Sequence, residues 1–211
     1  MTRSYALLLD GGFLRYNLSK LRSPVDAAAV SAFAASVSAL PCLGGMRLHR
    51  VYFYDSKPLE TRARKPLGGG TIDFATSDVA VQNSILQFCL MREPFFAMRF
   101  GELHLEGWRL RRRVLRRPGA VLQISADDLE PNIRQKGVDM RIGLDIASLT
   151  LKKHAQVIVL VTADSDFVPA MKFARREGAQ LVLITLGHGI RDGLIEHADI
   201  VIDQVPLVAP S

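Results

Sequence analysis

Cysteine is nearly absent. Cys42 and Cys89 are the only two in 211 residues, too far apart to form a disulfide framework or to show the close spacing of a zinc site. Long apolar runs are missing too. No stretch approaches the roughly 20 residues that a membrane-spanning helix needs. The opening MTRSYALLLDGG is not expected to act as a secretory signal, because Asp10 cuts its apolar run short. There is no internal repeat and no low-complexity tract. With 48% hydrophobic residues the chain is not of disordered type, and its length suits one domain with an ample core. These absences point to a reducing, cytoplasmic setting and to no membrane partner.

Acidic residues are outnumbered, 21 against 27 Lys plus Arg, for a net charge of +6. Residues 92–117 hold eight arginines and three glutamates, +5 of that total. Lys57, Arg62, Arg64 and Lys65 form a smaller basic group before Gly68-Gly69-Gly70. A charge run is often only a solvated face. The all-arginine composition instead suits a phosphate backbone, which guanidinium groups bind bidentately. Arg109, Arg111, Arg112, Arg113, Arg116 and Arg117 are the candidate contacts to such a backbone.

Strand and helix signals alternate. Tyr5–Leu9 predicts a buried strand and Leu48–Tyr54 a second. Pro24, at a first helical position, opens a helix expected to run to Leu40. Residues 55–75 carry loop composition, and Ser77 or Asp78 caps a helix reaching about Arg92. Residues 96–124, punctuated by Gly101, Gly107 and Gly119, suggest an inserted hairpin or small meander. A helix is expected over Val138–Lys153, a central parallel strand over Val157–Val161, and a helix over Phe167–Glu177 closed by Gly178. Strand Gln180–Thr185, helix Gly189–His197 and strand Ile200–Ile202 follow. The expected fold is α/β, with three layers and a mostly parallel central sheet.

In such sheets the site lies beyond the carboxyl ends of the strands. Aspartates stand there. Asp10 follows the first strand and Asp55 the second. Asp164 and Asp166 follow Val157–Thr162, and Asp139 opens the helix after Lys136-Gly137. Each alone is an ordinary turn former or helix cap. Several on one edge repel, and something must offset them. Mg²⁺ or Mn²⁺, held by oxygen ligands with waters retained, does so and can promote a phosphodiester displacement.

Asp10-Gly11-Gly12-Phe13-Leu14, Lys136-Gly137-Val138-Asp139, Asp145, Thr162-Ala163-Asp164-Ser165-Asp166-Phe167 and His197-Ala198-Asp199 occur in the order seen in NYN-domain proteins. The chain resembles that family over roughly residues 4–205, and within it the bacterial LabA-like group. The resemblance implies a PIN-like nuclease fold, a single domain over residues 1–211 and a basic insertion at about 55–130. It also implies an acidic metal centre of Asp10, Asp139, Asp164 and Asp166, which would be both catalytic and metal-binding. Asp145, Thr162 and Lys136 form a second tier. One departure stands out. Many NYN proteins carry Asp-Gly-x-Asn after the first strand, where this chain has Asp-Gly-Gly-Phe. A polar contact is then missing, or comes from Asn17 or Asn83.

Other motifs carry less. Gly187-His188-Gly189 lacks the dinucleotide-binding spacing and suits a plain turn. His188 and His197 are lone histidines near a helix. Trp108 suits base stacking, or more simply packing of the hairpin. Ser165 lacks a nucleophile elbow, and a phosphatase of the Asp-x-Asp type would need two acids after the first strand. The function expected is a metal-dependent ribonuclease acting on single-stranded RNA. The alternative is a non-catalytic module that binds RNA or a protein partner on the same scaffold. An exposed apolar helix face would serve a homo-oligomer, but core packing gives the same pattern.

Overall fold

A computed structural model of the chain describes residues 2–20, 24–119 and 121–206. Within these, β1 is Ser4–Asp10, α1 Gly11–Ser19, α2 Ala27–Ser38, β2 Arg47–Ser56, β3 Arg62–Arg64 and β4 Thr71–Asp73. Then follow α3 Asp78–Leu90, β5 Phe96–Leu110, β6 Leu129–Lys136 and α4 Val138–Leu151. The chain continues with β7 Val157–Val161, α5 Val168–Arg176, β8 Gln180–Ile184, α6 Asp192–Glu196 and β9 Ile200–Ile202.

Seven strands form one sheet in the order β6-β5-β2-β1-β7-β8-β9, parallel throughout except for the β5–β6 pair. The parity of β1 defines the layers. Tyr5, Leu7 and Leu9 face Leu14, Phe33, Val37, Leu86 and Leu90 of α1, α2 and α3. Ala6 and Leu8 face Ile142, Ile146 and Met171 of α4 and α5. A strand covered on both faces must be apolar at every position, so β1 and β7 show no alternation. Leu7, Leu8 and Leu9 are fully buried, each contributing about 1.5–3 kcal/mol of apolar transfer. The mixed α/β architecture with a mostly parallel central sheet matches the expected fold class.

Local departures have local causes. The second helix starts at Ala27 rather than at Pro24, because the Asp26 carboxylate accepts from Ala29 N at 2.8 Å and caps it there. Helix α1 carries no clear sequence signal, since it opens on Gly11-Gly12. Gly11 is required where it stands: a Cβ there would lie 2.4 Å from the Tyr54 carbonyl oxygen. Residues 96–124 do not form a hairpin of their own. β5 is one continuous strand. It pairs in parallel with β2 as far as Ser56↔Gly101, then runs on antiparallel to β6 from Glu102↔Lys136 to Leu110↔Leu129. Gly107 sits in a bulge, with the register shifting between Leu105 and Trp108, and does not make a turn.

The β5–β6 pair is thus an arm rising past the end of β2. Its nine residues beyond Gly101 reach up to about 30 Å at ~3.3 Å per residue. The 55–75 segment, read as a loop, begins with the last two residues of β2, contains the β3–β4 pair and packs on this arm. Phe74 meets Trp108 at 6.5 Å between ring centroids, and Lys65 Nζ lies 3.7 Å from Asp127. Packing is therefore the observed role of the sole tryptophan.

Candidate functional site

β1, β2, β7 and β8 end on one edge, and chain direction alone brings Asp10, Asp55, Thr162 and Asp164 there. Asp10 caps α1: its Oδ1 accepts from Phe13 N at 3.1 Å. Its Oδ2 accepts from the Thr162 hydroxyl at 3.4 Å. Thr162, fully buried, accepts in turn from Asp164 N at 3.2 Å, and Asp164 Oδ1 accepts from Asp166 N at 2.9 Å. Asp139 arrives from the other side, in the first turn of α4. Gly137 precedes it with φ +78°, a conformation that favours glycine and explains the Lys-Gly-Val-Asp sequence. Val138, next to it, is buried in the core and fixes the helix start.

The electrostatics join these groups. Burial raises the Asp10 carboxyl above its usual pKa, and the Asp139 charge adds to this against the Phe13 and Thr162 hydrogen bonds. Asp139 is exposed as a residue. Partial desolvation of its carboxyl, then repulsion from Asp164 and Asp166, raises its pKa as well. Among the described residues none of these four carboxylates is in an ion pair. Other aspartates are: Asp55 with Arg15 at 2.9 Å, Asp145 with Arg99 at 2.8 Å, Asp73 with Arg62 at 2.6 Å, and Asp128 with Arg117. The sheet edge therefore holds unneutralised negative charge, while Asp55, Asp145, Asp73 and Asp128 are compensated.

Among the described residues no three His, Cys, Asp or Glu side chains form a ready-made metal cage. The donors nevertheless suit a hard divalent ion. They are all oxygen, unpaired and mutually repelling, and Mg²⁺ takes one or two carboxylates and keeps its other positions for water and phosphate.

The remaining candidates are placed as follows. Asp145 accepts from Tyr54 Oη at 2.9 Å and Arg99 Nε at 2.8 Å, and so ties α4 to β2 and β5. Lys136, at the end of β6, lies 3.5 Å from Glu106. The arginine segment 111–117 lies at the tip of the arm. Arg109 pairs with Glu130 at 2.9 Å, Arg113 donates to the Asp127 carbonyl at 3.3 Å, and Arg117 grips the buried Asp128 carboxylate. Arg117 and the Ser125 backbone hold that carboxyl well below the usual range. Arg111, Arg112 and Arg116 are exposed, with no side-chain partner among the described residues.

Asp55, a strand-end acid like the others, is consumed by a network: Arg15 binds one oxygen and Gln87 the other at 3.0 Å, while Arg15 also reaches Asn83. Sequence reading missed Arg15, for nothing marks a pairing across 40 positions. Asn83 is engaged there. Asn17 accepts from His188 Nε2 at 2.7 Å and donates to the Phe13 carbonyl at 2.9 Å. Phe13, standing where an asparagine was expected, meets the His188 ring edge-on at 5.1 Å, with Tyr16 beside it at 6.2 Å. His197 faces Glu196 at 3.9 Å, and Asp199 secures β8 through Leu181 N at 2.7 Å.

Residues 101–205 match the sequence model of the NYN domain family. The chain is similar to that family over these 105 residues, just under half of its length. The matched segment contains Asp139, Asp145, Thr162, Asp164 and Asp166, and Asp10 reaches them from outside it through the β1–β7 pairing. An uncharacterized protein of Methanocaldococcus jannaschii is 33% identical over 73 residues, which is 35% of this chain and 30% of that protein. The chain thus matches less than a third of that relative's length. A protein of unknown function from Vibrio parahaemolyticus has the same fold, with a TM-score of 0.55 at 14% identity over 95% of this chain and 92% of that one. No helix among the described residues is long and apolar enough to cross a membrane.

Proposed function

We propose that residues 1–211 form one NYN domain of the LabA-like branch, with a basic insertion at about 55–130, acting as a metal-dependent ribonuclease on single-stranded RNA. Asp10, Asp139, Asp164 and Asp166 would hold Mg²⁺ or Mn²⁺. The observation that carries the reading is that these carboxylates repel one another with no cationic partner among the described residues, where Asp55, Asp145 and Asp128 have arginines. A divalent ion bound there supplies charge stabilisation and water activation for phosphodiester displacement. The chain's own part is to position. Thr162 fixes one oxygen of Asp10 and the backbone of Asp164, and Asp145 fixes the helix bearing Asp139. Exposed Arg111, Arg112 and Arg116 bind the RNA backbone at the end of the arm, while Arg117 and Arg109 shape it.

The test is cleavage of labelled single-stranded RNAs in Mn²⁺ by the wild type and by Asp164→Asn. Metal-dependent products from the wild type, and few from the variant, support the reading. No cleavage of varied RNAs, or equal cleavage by both, overturns it. A second reading, an RNA-binding or protein-interaction module without catalysis, draws on the lack of a ready-made three-ligand group. It predicts salt-sensitive RNA binding that survives Asp164→Asn and requires Arg111–Arg113.

A further inference from the structure

The opposite edge of the sheet is the electrostatic reverse of the acidic one. A cavity of about 550 Å³ opens there, lined by Arg3, Arg47, His49, Lys153, His154 and Gln156 together with two small polar residues. No carboxylate is among its lining residues. It is remote from the acids, since β1 spans the sheet between the two edges, about 20 Å at ~3.3 Å per residue.

Two backbone irregularities aim side chains into this cavity. The β1–β2 register steps from Tyr5↔Leu48 to Ala6↔Arg50, which leaves His49 as the extra residue of a bulge. Bulges re-aim side chains, often beside functional sites. Lys153 adopts φ +54°, uncommon for a residue with a side chain, and turns the chain so that His154 stacks on His49 at 5.4 Å and 25°. The C-terminus of α4 points this way, and its carbonyls would oppose an anion. Three of them are already engaged: Lys152 N, Lys153 N and His154 N donate to Ser148, Thr150 and Leu149, each at 3.0 Å. Gln156 is anchored by Ser4 N at 2.8 Å, and Arg3 is steadied by Gln180 at 2.7 Å. Arg47, His49, Lys153 and His154 make no side-chain hydrogen bond or ion pair among the described residues. Burial, then the neighbouring His154, Arg50 and Arg47, holds the His49 imidazole below its usual pKa. Like charges gathered without a counter-charge are as costly here as at the acidic edge.

We propose that this amino-terminal edge is a second binding site, which takes an anion carrying clustered phosphates. Guanidinium and ammonium groups converging on a concave, acid-free surface recognise phosphoryl oxygens, and the cavity has the volume of a small-molecule site. The phosphates are those of a free polyphosphate or nucleotide, or those of a nucleic-acid strand.

The test is calorimetry in EDTA, which keeps metal out of the acidic edge, with inorganic pyrophosphate in one arm and a short single-stranded RNA in the other. Wild type, Asp164→Asn and the double variant Arg47→Gln/Lys153→Gln are compared. Both substituted side chains in the double variant are exposed, and circular dichroism checks its fold. The expected result is saturable binding of at least one ligand, unchanged in Asp164→Asn and weakened about tenfold or more in the double variant. Pyrophosphate binding assigns a free phosphate ligand, and binding of RNA alone assigns a strand. Absence of binding in both arms, or binding that the double variant leaves unchanged, overturns the proposal. Neither result depends on cleavage, so this site and the ribonuclease reading fail separately.

Discussion

The Thr162 hydroxyl donates to Asp10 Oδ2 at 3.4 Å while accepting from Asp164 N at 3.2 Å, so one buried oxygen links the acids that follow two neighbouring strands. Thr162→Val removes both contacts at nearly constant volume. We expect a loss of about 1–3 kcal/mol in denaturant unfolding, because Asp10 loses a donor and Asp164 N is left without an acceptor. Thr162→Ser restores most of it. Metal-dependent cleavage should fall in Thr162→Val and recover in Thr162→Ser.

Gly11 and Gly12 are predicted to differ. A Cβ at Gly11 meets the Tyr54 carbonyl and the Phe53 ring, whereas at Gly12 the nearest atom is 3.5 Å away. Gly11→Ala should lower stability by about 1–3 kcal/mol as the turn between β1 and α1 is forced off β2. Gly12→Ala should be near neutral or slightly stabilising. Thermal melts of the two variants, side by side, provide the check.

Asp55 and Asp139 respond oppositely to neutralisation. Asp55 is buried against Arg15 and Gln87, so Asp55→Ala strands a charge and should cost about 3–5 kcal/mol. In EDTA at pH 7, Asp139→Asn should be at least as stable as wild type, since it removes repulsion from Asp164 and Asp166.

The same groups set a pH dependence. Asp10 and Asp139 have folded pKa values raised above 3.8, so their ionisation weighs against the metal-free fold at neutral pH. That penalty is relieved as pH falls through their folded values toward 3.8. Asp73 and Asp128 are depressed by Arg62 and Arg117, and their contribution is present above 3.8 and lost as pH falls further. Metal-free protein should therefore be most stable on the mildly acidic side, and a divalent ion should shift that optimum toward neutrality. Melting temperatures across pH 3–8, with and without Mn²⁺, measure this; a metal-free stability that does not rise as pH falls from neutrality toward 3.8 would falsify the assignment.

Arm arginines without partners should act through phosphate alone. Replacing Arg111, Arg112 and Arg116 with Gln should reduce the slope of log K against log salt for single-stranded RNA by about 2, at ~0.7 per contact. Arg117→Gln should instead lower stability, because it releases the buried Asp128.

Much of this was legible in the sequence. Apolar runs mark β1 and β7, the second of them β-branched, and the rule that sites follow strand ends selects Asp10, Asp164 and Asp166. It also selected Asp55, which is no different in local pattern. Only the tertiary partner Arg15 separates a compensated acid from a free one. Gly101 and Gly107 suggested a turn because a glycine at a bulge and one in a hairpin have the same local composition. The return strand lies 18 residues beyond β5, and pairing at that range leaves no local trace. Helix α1 was hidden by Gly-Gly, whose low helix propensity is overridden by the Asp10 cap and packing of Leu14.

The most direct test of the central claim is a calorimetric Mn²⁺ titration of the wild type and of Asp139→Asn. Saturable binding to the wild type, weakened about tenfold or more by the substitution, is the predicted result. No saturable binding, or equal binding by both proteins, would contradict the view that the unpaired carboxylates at the sheet edge hold a metal, and would leave the fold a scaffold without this chemistry.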